Sequence, residues 1–212
     1  VSLDAEMGFI QDHHDVMAVL TGVIRAILAH LATEHTSDLA LLGAELPRLP
    51  EEVPSIFFPE ALRRVGEALG QDLHGELDLA PEHERWLGSW AQSEFGSDFV
   101  FVTGYPMAKR PFYTHPDPAD PAYSNSFDLL FRGTELVTGG QRLHRYGDYI
   151  VSLESRNLSP GVFAGHLEAF RHGMPPHGGF AIGLERFLMQ LLGLANVRET
   201  TLFPRDLTRL SP

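Results

Sequence analysis

The apolar residues change period near Gly96, and a chain with that change has to combine helices with a sheet. Ahead of it, Val16, Val19, Leu20, Val23, Ile24, Ile27, Leu28 and Leu31 recur at helical spacing, with Asp12 and Asp15 near the positive N-terminal end. This predicts a long amphipathic helix from Asp12 to about His35. Prolines at 47, 50 and 54 should break any regular element between Thr36 and Pro59. Shorter helical patterns follow at Glu60 to Leu69 and Pro81 to Phe95, so 36–97 reads as a helical, insertion-like region.

After Gly96 come short segments at Phe99 to Thr103, Pro111 to His115, Ser126 to Arg132 and Glu135 to Arg142, separated by turn residues. They predict an antiparallel sheet. Helical patterns over Tyr146 to Arg156 and Gly161 to His172 precede a Gly-rich strand and a last helix from Leu184 to Leu192. The opening segment alternates: Leu3, Ala5, Met7 and Phe9 share one face, Ser2, Asp4 and Glu6 the other. That is a half-buried strand with two carboxylates on its outer side. A chain that begins inside a strand leads us to expect further sequence upstream. The expected fold class is α+β, an antiparallel sheet flanked by helices and incomplete at its N-terminus.

Composition narrows the chemistry. There is no cysteine, which excludes disulfides, thiolate zinc sites and thiol nucleophiles. The formal charge of −12 argues against a nucleic-acid surface spread over this segment, so any RNA contact must be local or lie elsewhere. Thr21, Arg25 and His30 interrupt the longest apolar stretch, and no basic, apolar leader opens the chain. A cytoplasmic protein with no membrane partner is expected.

Two stretches carry chemistry. In Gly173-Met-Pro-Pro-His-Gly-Gly-Phe-Ala-Ile-Gly-Leu-Glu-Arg186-Phe187 a glycine-punctuated strand runs into a helix with an arginine in its first turn. Gly178, Gly179 and Gly183 let a flat or charged ligand approach the backbone, and Arg186 offers a planar fork of donors to phosphate oxygens. Tight packing of strand on helix is the plainer alternative. The second stretch runs from Phe127 to Arg145 and places Asp128, Glu135 and Thr138 on neighbouring strands joined by a turn at Gly133. Their oxygens are hard ligands suited to Mg2+, although acids at strand ends are often only solvated. His13 and His14, with Asp12 and Asp15, suggest a metal site, but successive helix residues do not share a face and solvation at a helix N-terminus is the better reading.

Gly-Gly-Phe-Ala-Ile-Gly-Leu-Glu-Arg resembles the third signature motif of class II aminoacyl-tRNA synthetases. Met174-Pro-Pro-His177 and Leu202-Phe-Pro-Arg-Asp206 around it are similar to the aspartyl and asparaginyl branch, and Gly139-Gly-Gln-Arg-Leu-His144 resembles aspartyl members of the archaeal, non-discriminating type. The resemblance implies that Arg186 holds the ATP γ-phosphate, with Gly183, Leu184 and Glu185 forming the adjoining nucleotide wall. It implies that Glu135 binds ATP and Mg2+, that Thr138 contacts metal and substrate where serine is usual, and that Asp128 is a further acid near the metals. Arg142 would grip the side-chain carboxylate of L-aspartate, Asp4 would meet its amino group, and Lys109, in Tyr105-Pro-Met-Ala-Lys-Arg-Pro-Phe-Tyr113, would line the amino-acid pocket. His144 is a family marker, not a catalyst.

The implied function is that of an aspartate–tRNA ligase: ATP and aspartate give aspartyl-adenylate, and the aspartyl group passes to tRNA(Asp), with tRNA(Asn) a possible second acceptor. The resemblance covers the later part of the family's catalytic domain. The first two signature motifs and the N-terminal anticodon-binding domain have no counterpart in residues 1–212, so the isolated chain is expected not to charge tRNA at a normal rate, and a homodimer is expected of the full-length enzyme. Alternatives are an asparaginyl-tRNA synthetase, a synthetase-derived enzyme forming free asparagine, and a non-catalytic paralogue that binds ATP.

Overall fold

The computed structural model describes residues 1–205, 207 and 208. A six-stranded sheet organises them in the order β1-β6-β5-β4-β3-β2, built from β1 (Ser2–Gly8), β2 (Ser55–Phe57), β3 (Phe99–Thr103), β4 (Ser126–Phe131), β5 (Thr134–Gln141) and β6 (His177–Gly183). Every adjacent pair is antiparallel except β2 with β3, which is parallel. The fold is α+β, and seven helices flank the sheet among the described residues.

Helix α1 (His13–Glu34) starts where Asp12, in an extended conformation, accepts from the His14 N–H at 2.7 Å. Its Val16, Leu20 and Ile24 are fully buried against Phe101, Phe127, Leu129, Val137, Phe180 and Ile182 of the sheet. Burying each such side chain is favourable by about 1.5–3 kcal/mol, and this seam fixes the helix to the sheet. By length and composition α1 could cross a membrane, yet one face of it forms the core of this domain. Phe187 and Leu191 of α7 (Leu184–Leu192) close the same cluster.

The opposite face is covered only in part. Helices α3 (Phe58–Leu69) and α4 (Pro81–Phe95), each with proline in its first turn and a left-handed glycine after its last residue, bury Val65, Leu87 and Ala91 against Val100, Val102 and Leu130. They reach β2, β3 and β4. Over β1, β6 and β5 that face stays open: Asp4, Glu6, Thr138 and Ala181 are all exposed. A third cluster, from α5 (Tyr146–Ser155) and α6 (Ala164–Arg171), gathers Tyr149, Leu153, Leu167 and Phe170 around Leu143, just beyond the end of β5.

The structure corrects several local expectations. The prolines do not exclude order between Thr36 and Pro59: α2 (Thr36–Leu42) forms ahead of them, and β2 begins directly after Pro54, where no donor is lost from the ladder. Pro111 to His115 is no strand; its one sheet-like contact is an isolated bridge from Thr114 to Arg142, and Thr114 N turns back to Pro111 O. The helix read over Gly161 to His172 divides into a 3-10 turn at Pro160–Phe163 and α6, because Phe163 leaves the helical region at φ −103°, ψ 13°. Leu3 is half exposed, since β1 lies at the sheet edge and the cover of α1 extends only to Ala5 and Met7.

Candidate active site

Cross-strand register assembles the open face. Asp4 faces Ala181, Ala181 faces Thr138, and Thr138 faces Asp128, a row across β1, β6, β5 and β4. Glu6, Gly179, Gly140 and Ser126 form the next row. The glycines keep this floor flat: a Cβ on Gly179 would stand 2.2 Å from Ala5 O, and one on Gly140 would stand 2.7 Å from Asn125 O.

Glu135 and Thr138 are three residues apart and would point to opposite faces of a regular strand. A register shift prevents this. Leu129 pairs with Val137 and Leu130 with Glu135, so Leu136 has no residue opposite it, and Glu135 comes to the same face as Thr138. The turn before β5 is tight, with Arg132 at φ 47° and Gly133 at φ 73°, the pair of left-handed residues that suits a two-residue hairpin.

Arg186 stands in the first turn of α7. Its Nη1 donates to Glu135 O at 2.9 Å and to Glu135 Oε1 at 3.0 Å, leaving half of the side chain exposed. Ser2, Glu135, Leu136, Thr138, Ala181, Gly183, Glu185, Arg186 and Val197 bound an adjoining cavity of about 440 Å³. Leu184 N donates to Val1 O at 3.1 Å. At the far end of β5, Arg142 lies over the Tyr113 ring at 5.2 Å and gives Glu6 Oε1 two bonds, 2.9 Å from Nη2 and 3.2 Å from Nε. Asp4 accepts from the Ser2 hydroxyl on the same face.

Asp128 is buried at the inner end of its row. Arg110 Nη2 holds its Oδ2 at 3.1 Å and stacks over the Tyr105 ring at 4.0 Å, while Oδ1 is buried without a partner. Burial raises the pKa of this carboxyl above the ordinary carboxylate range despite Arg110, and the Glu135 charge adds to the rise. Asp128, Glu135 and Thr138 carry hard oxygens of the kind divalent cations take, and Asp128 Oδ1 is left without a partner. Among the described residues the one group of three His or acidic side chains with ligand atoms within 4.8 Å of one another lies elsewhere, at Asp12, His13 and His14. There Asp12 caps α1 and the two imidazoles lie 4.1 Å apart at a tilt of 37°, so these neighbours do converge at the first turn.

Lys109 is not brought to this face. It pairs with Asp78 at 2.9 Å, both half exposed, and its neighbour Arg110 reaches the sheet instead. Sequence reasoning also passed over Glu84 of α4, whose Oε2 accepts the Glu135 N–H at 2.9 Å. In sequence Glu84 resembles any acid in a first helical turn; the one available signal was Gly88, a glycine inside an amphipathic helix that marks a close approach. His144 Nδ1 is buried without a partner, its ring lies parallel to His115 at 6.0 Å, and burial lowers its pKa, with His115 and Arg145 adding to the effect. The Asp206 end of the Leu202 to Asp206 segment lies outside the described residues.

A family model described as tRNA synthetases class II (D, K and N) matches residues 1–207. The chain is 47% identical over its whole length to 49% of an aspartate–tRNA(Asp/Asn) ligase of Thermus thermophilus, and 42% identical to 48% of an aspartate–tRNA(Asp) ligase of Picrophilus torridus. Among solved structures it superposes on an aspartyl tRNA synthetase of Entamoeba histolytica with TM-score 0.91 and 32% identity, covering 100% of this chain and 44% of that one. With an asparaginyl-tRNA synthetase of Pyrococcus horikoshii the TM-score is 0.89 at 28% identity, covering 100% and 50%. The chain thus spans about half the length of the curated relatives it matches.

Proposed function

The chain belongs to the class II tRNA synthetases of the D, K and N group, and on that premise we propose that it supplies the amino-acid and ATP sites of an aspartate–tRNA ligase. The observation that carries this is the disposition of two guanidinium groups: Arg186 beside Glu135 and Arg142 beside Glu6 face the same open, glycine-floored half of the sheet. An adenylate-forming reaction needs cationic forks at two ends, one for phosphate oxygens and one for a carboxylate.

In this reading Arg186 holds the γ-phosphate of ATP, with Gly183, Leu184 and Glu185 as the neighbouring wall and Glu135 fixing the arginine's direction. Arg142 takes the side-chain carboxylate of L-aspartate with two parallel donors, and Asp4 takes its ammonium. Held in line, the aspartate α-carboxylate attacks the α-phosphorus and pyrophosphate leaves. A hydroxyl of the tRNA terminal ribose then attacks the acyl carbon and AMP leaves. No side chain forms a covalent bond, and the contribution of the chain is positioning and charge stabilisation. Glu135, Thr138 and Asp128 would hold Mg2+, which supplies neutralisation of phosphate charge. The reading places the protein in the cytoplasm as a homodimer with no membrane partner.

Glu6 favours a second specificity. A carboxylate against Arg142 accepts hydrogen bonds, so it suits the NH2 of asparagine while opposing the charge of aspartate. Asparagine use, and charging of tRNA(Asn) as well as tRNA(Asp), are therefore measured together with the main activity.

The test is exchange of labelled pyrophosphate into ATP by the protein at the length of its relatives, with aspartate and asparagine in parallel. We expect exchange with aspartate and a loss of about 10²–10³-fold in Arg186→Ala. No aspartate-dependent exchange would overturn the proposal, and preference for asparagine would move it to the second reading. Residues 1–212 alone should fail to charge tRNA, and robust charging by them would refute the need for the remaining length.

A further inference from the structure

Glu135 is fastened from two sides. Arg186 Nη1 takes its carbonyl at 2.9 Å and its Oε1 at 3.0 Å, and its N–H goes to Glu84 Oε2 at 2.9 Å. That N–H lies beside the register shift, where a strand is free to pivot unless something outside the ladder holds it. Glu84 reaches it because α4 lies with its backbone directly on the β4–β5 turn. A Cβ on Gly88 would stand 2.5 Å from Gly133 N and 2.6 Å from Gly133 Cα, and one on Gly133 would stand 2.8 Å from Arg85 Cα. Glu84, Glu135 and Arg186 also line a common cavity of about 460 Å³, which shares Glu135, Arg186 and Val197 with the cavity that contains Thr138.

We propose that Glu84 is a positioning residue for the ATP site: by holding the Glu135 backbone N–H it fixes the direction of the Glu135 carboxylate and, through it, of Arg186. This rests on the synthetase reading above. Helix α4 then has a task at the nucleotide end of the site without touching substrate.

The test uses the protein at the length of its relatives and reads two quantities, hydrogen exchange of the Glu135 amide and the separate KM values for ATP and aspartate in pyrophosphate exchange. Glu84→Ala should speed Glu135 exchange and raise KM for ATP by about tenfold or more each, while KM for aspartate stays within about twofold. Glu84→Gln keeps an acceptor oxygen and should restore both to within about threefold of wild type. Glu84→Asp falls one methylene short, should reproduce the alanine result, and serves if alanine does not fold. An unmoved Glu135 amide, an unmoved KM for ATP, or equal rises in both KM values would overturn the proposal. A wild type without aspartate-dependent exchange would sink the parent reading and this one with it, whereas an active wild type with a silent Glu84→Ala sinks this one alone.

Discussion

Burial of the His13 ring brings its pKa down to about 4, and His14 adds to that effect while Asp12 and Asp117 pull against it. An unfolded histidine near 6.5 binds its proton first, so the stability that neutral His13 provides is complete above pH 6.5 and is lost as pH falls through 4. The loss should be at most about 3 kcal/mol, and His13→Gln should flatten the unfolding free energy across that interval in denaturant titrations at stepped pH. Glu84 has the opposite sign. Burial is the main cause of its raised pKa, so its contribution is full below 4.5 and disappears as pH rises through the raised value. Glu84→Gln should therefore gain thermal stability relative to wild type as pH rises above 4.5. Arg142→Lys keeps the charge but not the fork, and the aspartate kcat/KM in pyrophosphate exchange should fall about 10- to 100-fold. Arg142 and Arg186 stood out in the sequence because glycines announce them, whereas choosing Arg110 over Lys109 required knowing which neighbour turns inward toward the buried Asp128.

Glycines inside helices divide sharply by surroundings. Gly22 of α1 has nothing within 4 Å of its missing Cβ, so Gly22→Ala should stabilise by about 0.5–1 kcal/mol. Gly88 of α4 meets the Gly133 backbone, which cannot rotate aside, so Gly88→Ala should destabilise by about 1–3 kcal/mol and loosen Glu84 from Glu135. Equilibrium unfolding in urea of the two variants decides both. Elements with their own punctuation were legible: Pro81 and Gly96 bracket α4, and Gly183 and Gly193 bracket α7. Those defined by a distant partner were not. β2 is three residues whose only warrant is β3 alongside, and the extra residue at Leu136 exists only relative to β4. That one residue decides whether Glu135 and Thr138 face the same way, so the sequence names both without showing that they meet.

At the scale of the molecule the class of fold could be read from the chain, and Arg186 and Arg142, named from the sequence, lie at two ends of one open sheet face. The half-open sheet could not, because it depends on α3 and α4 covering β2, β3 and β4 while nothing described covers β1, β6 and β5 on that face. The charge of −12 is consistent with tRNA contact being confined to few groups here, and residues 1–212 alone should bind tRNA weakly in filter assays at physiological salt. Ser2 pairs with Gly183 and Gly8 with His177, so one edge of the site floor joins strands far apart in sequence. Such a contact forms late, after β3, β4 and β5 can associate through nearer neighbours. During synthesis on the ribosome, then, Asp4 and Glu6 cannot join the glycine floor of β6 until residues 177–183 have emerged, so this row of the sheet is completed only after nearly all of the segment has been translated.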